Sequence, residues 1–287
     1  MQIKLENVTH TYQPGSPFQA TAIRNVNMEV KAGEFLALIG HTGSGKSTLA
    51  QHLNGLLRPT EGRVLIDGRD IHEKGYDKRE VRRKVGLVFQ YPEHQLFEET
   101  VVKDVAFGPR NLGLSAEEGD TRVREALEKV GLSYEDMAER SPFELSGGQM
   151  RRVAIAGVLA MRPECLVLDE PAAGLDPQSR EEMLQLISSL HRSGSTVVMV
   201  SHSMDDVARF ATRAVVMEKG MAAMAGAPEE IFLHAERLVK MGLDVPKVCQ
   251  LGLRLREEGF PFPAGIFREE DAAEAILSLW KEGKGRV

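Results

Sequence analysis

The nonapeptide GHTGSGKST, Gly40 to Thr48, limits the fold of this chain more than any other stretch. Its glycines allow a tight turn whose backbone amides face an anion, and Gly-x-x-x-x-Gly-Lys-Ser is the phosphate-binding loop pattern. Such a loop belongs between a buried strand and the start of a helix, where unpaired helical N–H groups add to the cradle. Both flanks comply. FLALI (35–39) reads as a buried strand, and KSTLAQHLNGLL carries helical spacing from Lys46 onward.

The pattern recurs along the chain. VGLVF (85–89), CLVLD (165–169), TVVMV (196–200) and RAVVM (213–217) are short and apolar, as strands covered on both faces of a parallel sheet must be. PQSREEMLQLISSLHRSG and SMDDVARFA between them are helical, so the core is α/β with a mostly parallel sheet. IKLENVTHTY, NVNMEV and RVLIDG look like antiparallel strands beside it. The region of about 91–160 reads as a helical subdomain inserted between core strands. Residues 227–287 read as a helical extension broken by GFPFPAG, leaving residues 1–226 as the nucleotide-binding domain.

Within the loop, Lys46 is expected to place its charge on the terminal phosphates of a nucleotide. The Ser47 hydroxyl is expected to ligate Mg²⁺. Gly40, His41, Thr42, Gly43, Ser44, Gly45 and Thr48 complete the phosphate-contacting segment. A lone Asp-Glu pair is commonly a solvated strand end. Here the loop needs a metal-side partner, so Asp169 is assigned to Mg²⁺ and Glu170 to activating water as general base. His202 follows TVVMVS at the edge where ligands bind in open α/β sheets, and is expected to contact the γ-phosphate. Gln90, closing VGLVF, offers a neutral amide to a water or a metal. Tyr12 supplies an aromatic face for adenine.

One segment does not fit a single site. FELSGGQMRR, Phe143 to Arg152, has a serine and two glycines opening a helix and so looks like a second phosphate cradle. Taken in order, GHTGSGKST, FQYPE, LSGGQ, LVLDEP, AGLD and the isolated His202 resemble ATP-binding-cassette (ABC) ATPases over residues 1–226. That resemblance implies the ABC ATPase fold and a head-to-tail pair of cassettes. Ser146, Gly147, Gly148 and Gln149 of one chain would then meet the ATP held by the other, and Asp176 would reach across the same interface. FQYPEHQLFEETVVKDVAFGP and the C-terminal extension resemble the ATPases of energy-coupling-factor transporters, the second of two paralogues more than the first.

The narrower resemblance implies a second cassette ATPase as partner, as a paralogue heterodimer or a homodimer, with the extension holding the two together. It also implies a transmembrane T component docked on Tyr91 to Phe97, and a substrate-binding S component that selects the vitamin or metal ion imported. The chain would sit peripherally on the cytoplasmic face of the membrane. The alternative is the ATPase of a conventional binding-protein-dependent importer, which more often carries a β-rich tail.

Composition removes other classes. The net charge of −6 argues against a protein that coats nucleic acid, and no long coiled coil splits the motifs as in DNA-maintenance cassettes. One phosphate loop and one LSGGQ exclude a tandem translation-factor cassette; the absence of NKxD excludes a small GTPase. Two cysteines, Cys165 and Cys249, suggest buried thiols in a reducing compartment. No apolar run nears the roughly 18 residues of a membrane helix, and MQIKLENVTH lacks the order of a signal peptide.

Overall fold

The computed structural model describes residues 1–281, so the last six residues of the expected 227–287 extension lie outside the described residues. Along the chain run strands β1 (Ile3–Tyr12), β2 (Ala20–Val30), β3 (Phe35–Ile39), β4 (Glu61–Ile66), β5 (Arg69–Asp70), β6 (Val85–Val88), β7 (Cys165–Asp169), β8 (Thr196–Val200), β9 (Arg213–Glu218) and β10 (Met221–Gly226). They form two sheets. The larger has the order β10-β9-β3-β8-β7-β6, parallel throughout except for the antiparallel edge strand β10. The smaller, β2-β1-β4-β5, is antiparallel, as the alternation of its strands predicts.

Every residue of β3, β7 and β8 is buried, which is why these strands show unbroken apolar runs. One face of the parallel sheet packs on the antiparallel sheet and on helix α1 (Lys46–Leu53); Ile3, Leu5, Ile23 and Leu49 meet Leu36, Val167 and Val198 there. After α2 (Lys78–Lys84) the opposite face is covered by the inserted helices α3 (Val101–Asn111), α4 (Ala116–Lys129), α5 (Tyr134–Met137) and α6 (Gly147–Leu159), together with α7 (Pro177–Arg192). Val105, Leu127 and Ile155 from these helices share a cluster with Leu166, Leu168 and Met199 from the sheet.

The extension comprises α9 (Pro228–Phe232), α10 (Ala235–Lys240), α11 (Lys247–Glu257) and α12 (Glu269–Lys281), following α8 (Met204–Phe210). It is not a free-standing unit of hydrophobic packing. Ile231, Phe232, Leu238, Cys249 and Phe267 bury themselves in one cluster with Ala37, Ile39 and Val216 of the sheet and Val207 of α8.

This topology positions the site. At the carboxyl edge, strands β3, β8, β7 and β6 are consecutive neighbours about 4.8 Å apart. The phosphate loop leaves β3, His202 follows β8, Asp169 ends β7 and Gln90 lies just past β6. Residues separated by more than 150 positions in sequence thus meet at the ends of four adjacent strands.

Candidate functional site

The phosphate loop needs its glycines for specific reasons. Gly40 has φ 154° and Gly45 φ 100°. A Cβ on Gly40 would lie 2.4 Å from the Met217 carbonyl oxygen, and one on Gly45 would lie 2.7 Å from that of Ala22. Gly45 is also the N-cap of α1 and offers no side chain, so the first-turn amides of α1 stay open toward the loop. The loop is braced from behind by the Gly220 N–H, which donates to the Ser44 carbonyl at 3.1 Å.

Lys46 is buried, and its ammonium donates to the carbonyls of Gly40 (2.7 Å) and His41 (3.0 Å). Burial lowers its pKa, and the carboxylates of Glu170 and Asp169 offset this in part. Asp169 is buried too. Desolvation raises its pKa and the neighbouring Glu170 charge adds to this, while the Ser47 hydroxyl, donating to the carboxylate, pulls it back. Ser47 and Asp169 thus form a hard-oxygen pair whose charge Lys46 offsets only in part, since the Asp169 pKa stays raised, and that is the donor set a small divalent cation accepts. Among the described residues no group of three or more His, Cys, Asp or Glu could hold a metal alone. A cation here would need phosphate oxygens as further ligands.

Glu170 adopts φ 50°, a left-handed conformation that costs a side-chain-bearing residue on the order of 1 kcal/mol or more. Its N–H donates to the Val200 carbonyl at 3.1 Å, which holds the turn. The reversal separates two adjacent acids: Asp169 meets Ser47, whereas Glu170 is gripped from two other strands. Gln90 Nε2 donates to one carboxylate oxygen at 2.9 Å, and His202 Nδ1 lies 3.0 Å from the other. Lys46, Ser47, Thr48, Gln90, Glu170 and His202 line one open cleft of 370 Å³ with Thr42, Gly43 and Gly45. Tyr12, at the end of β1, reaches Thr48 through its hydroxyl (3.2 Å to Oγ1).

The LSGGQ segment is not brought to that cleft. Ser146, Gly148 and Gln149 line a separate hollow of 260 Å³ with Ser179 and Glu182. Ser146 caps α6, and a reciprocal pair joins Ser146 Oγ to the Gln149 N–H (3.3 Å) and Gln149 Oε1 to the Ser146 N–H (3.1 Å). Gly147 is exposed beside it. Asp176 caps α7, accepting from the N–H groups of Gln178 and Ser179 at 3.1 and 3.0 Å. Both polar helix starts face outward from the same chain.

Sequence reasoning missed the ion pair that ties these parts together. Arg151, only 2% exposed, chelates Glu93 through Nε (3.0 Å) and Nη2 (2.7 Å). Its Nη1 donates to the carbonyls of Pro171 (3.0 Å) and Ala173 (2.7 Å), just past Glu170. Burial would raise the Glu93 pKa, but the Arg151 hydrogen bonds and charge outweigh it and hold the carboxyl below its usual range. The sequence did carry a signal. Arg151 stands four residues before Ile155 and eight before Leu159, on the buried face of α6, so it required a buried partner.

Residues 23–173 match the family model described as ABC transporter. The energy-coupling factor transporter ATP-binding protein EcfA2 of Clostridium tetani (strain Massachusetts / E88) is 55% identical over 281 residues, covering 98% of each chain. EcfA2 of Symbiobacterium thermophilum (strain DSM 24528 / JCM 14929 / IAM 14863 / T) is 55% identical over 285 residues and 99% of each. Among solved structures, cbiO1 from Clostridium perfringens, described as part of the ABC transporter complex cbiONQ, superposes with TM-score 0.72 at 38% identity, covering 87% of this chain and 97% of that one. The cassette MJ0796, dimeric and bound to ADP and Pi in a post-hydrolysis state, gives 0.70 at 36% identity over 79% and 98%. With the phosphate loop, the Glu170 grip and LSGGQ in their places, the chain belongs to the ABC transporter ATP-binding family, in its energy-coupling factor branch.

Proposed function

We propose that this chain hydrolyses ATP to ADP and phosphate with Mg²⁺ and drives an energy-coupling-factor importer. The observation that carries the proposal is Glu170, a carboxylate held on both oxygens by Gln90 and His202 in the cleft that Lys46 and Ser47 line. Lys46 would exchange its two carbonyl partners for phosphate oxygens, and the open amides of α1 would take the remaining charge. Ser47 and Asp169 would hold Mg²⁺, with Gln90 turning toward it; the ion supplies charge neutralisation at the phosphates. Glu170 would accept a proton from water, and His202 would position the γ-phosphate. Tyr12 would stack on adenine.

LSGGQ lines its own hollow, so it supports a second cassette as the partner that completes the reaction. Ser146, Gly147, Gly148 and Gln149, with Asp176, would face the ATP bound by that partner. ATP would then bond both subunits and hydrolysis would remove those bonds, which is how a ligand shifts an equilibrium between open and closed pairs. No described helix is long and apolar enough to cross a membrane. The transmembrane T component would instead dock at the Tyr91–Phe97 region, where exposed Phe97 stacks edge-on with Phe107 (4.9 Å) above a 620 Å³ groove. The S component, a separate membrane subunit selecting a vitamin or metal ion, would complete the importer, with this chain held peripherally on the cytoplasmic face.

Co-purification of the tagged full chain from native membranes tests this reading. Recovery of a second cassette ATPase and a T-type membrane protein is the expected result. Recovery with a conventional permease pair would replace it, and Phe97→Glu should deplete the membrane protein specifically.

A further inference from the structure

His10 occupies a position where alternation along β1 calls for an apolar residue. Ile3, Leu5 and Val8 precede it on the inward face, and Tyr12 follows two residues later. His10 is 8% exposed, and its Nδ1 lies 3.0 Å from the Arg58 carbonyl oxygen. A carbonyl only accepts, so Nδ1 donates. The ring is thereby fixed between two others. The Tyr12 ring stands edge-on to it, with centroids 4.6 Å apart and planes at 80°, and the His52 ring does the same at 4.9 Å and 73°. His52 lies on α1, fully buried, with Nδ1 donating to the Thr48 carbonyl at 2.7 Å. Burial lowers its pKa to about 4, so its ring is neutral and able to pack.

We infer that His10 is a positioning residue for nucleotide binding, locking the base-side aromatic Tyr12 to the phosphate-side helix α1. Tyr12 is 40% exposed and ends its strand, paired through its backbone with Ala20 of β2; two contacts tie its side chain toward α1. One is the hydroxyl contact to Thr48, and the other is the ring train Tyr12–His10–His52 that returns to the Thr48 carbonyl. Both converge on the helix that opens with Lys46 and Ser47. The distance between base platform and phosphate cradle is therefore set before ATP arrives, and the ordering cost at Tyr12 is lowered. This inference rests on the reading of Tyr12 as the adenine contact.

The test measures ATP binding by calorimetry to the full chain in a Glu170→Gln background, with inorganic tripolyphosphate as a probe that has no base. His10→Ala should weaken ATP binding about 3–10-fold, the scale of one lost edge-to-face aromatic contact. It should leave tripolyphosphate binding within about twofold, because the loss acts through Tyr12 alone. His10→Phe, which keeps the ring edges without Nδ1, should recover most of the ATP affinity. Adding Tyr12→Ala to His10→Ala should cost nothing beyond Tyr12→Ala by itself.

Equal weakening of ATP and tripolyphosphate by His10→Ala would overturn the inference, since His10 would then support the whole loop. Normal ATP affinity in His10→Ala with weakened affinity in Tyr12→Ala would overturn it while sparing the adenine contact. Normal affinity in Tyr12→Ala would overturn both.

Discussion

Replacing Glu170 by Gln tests the site most sharply, because it removes a charge and almost no volume. The carboxylate now accepts from Gln90 Nε2 at 2.9 Å and faces His202 Nδ1 at 3.0 Å. An amide keeps one acceptor and gains one donor. With Gln90 Nε2 still facing it, the new Oε1 faces Gln90 and the new NH₂ faces His202, whose Nδ1 then accepts with its proton on Nε2. If the Gln90 amide turns over, the new NH₂ faces Gln90 and His202 Nδ1 goes on donating. The lost base should lower turnover about 10²–10⁴-fold, which is about 2.7–5.5 kcal/mol of barrier. ATP affinity should hold or rise, since a negative charge has left the phosphate side of the cleft. Phosphate release at saturating ATP measures the first effect, titration the second, and ¹⁵N imidazole shifts the His202 tautomer. An unchanged rate would remove Glu170 from the role of base. A lost rate with equally lost affinity would show that the carboxylate acts by holding the loop in shape.

Lys46→Ala should abolish measurable ATP binding in a titration, leaving the Gly40 and His41 carbonyls without their donor; normal affinity would contradict the phosphate contact. Arg151→Met should destabilise the chain by about 3–5 kcal/mol in denaturant titration, since Glu93 and two carbonyls lose a buried partner. The sign in pH follows from Glu93. Its folded pKa is depressed, so its contribution is complete above the ordinary carboxylate range and fades as pH falls through the folded value. Arg151→Met should therefore flatten the acid limb of the stability curve. Asp169 behaves oppositely: its raised pKa means that the folded chain binds the proton more tightly, so the destabilisation is absent at low pH and complete at neutral pH. Asp169→Asn should raise the melting temperature at neutral pH without Mg²⁺, by about 2–4 °C for each kcal/mol regained, and abolish Mg²⁺-dependent hydrolysis. A lower melting temperature would refute the argument that burial and the Glu170 charge make the ionised Asp169 costly.

How much of this was legible in sequence depended on range. The phosphate loop, the strands FLALI, CLVLD and TVVMV and the helix at Lys46 are local, because glycine freedom and apolar runs act within a few residues, and they appear where expected. VGLVF ends one residue short, at Val88, releasing Phe89 and Gln90 into the loop. The grouping of Gln90, Glu170 and His202 needed the strand order, which no spacing in the chain states. LSGGQ announced a second cradle through its own residues; its separation from the first was expected from the family resemblance and not from any spacing, and the packing puts the two in different hollows. Arg151 was readable as a buried charge, but its partner Glu93 lies 58 residues away, and only the fold could choose it. The sequence by itself determined the chemistry carried by each strand end and helix start, since backbone geometry and side-chain type are local properties. Tertiary structure alone decided which strand ends became neighbours, how Glu170 is gripped and which rings lean on Tyr12, because those contacts follow from burying apolar faces between elements distant along the chain.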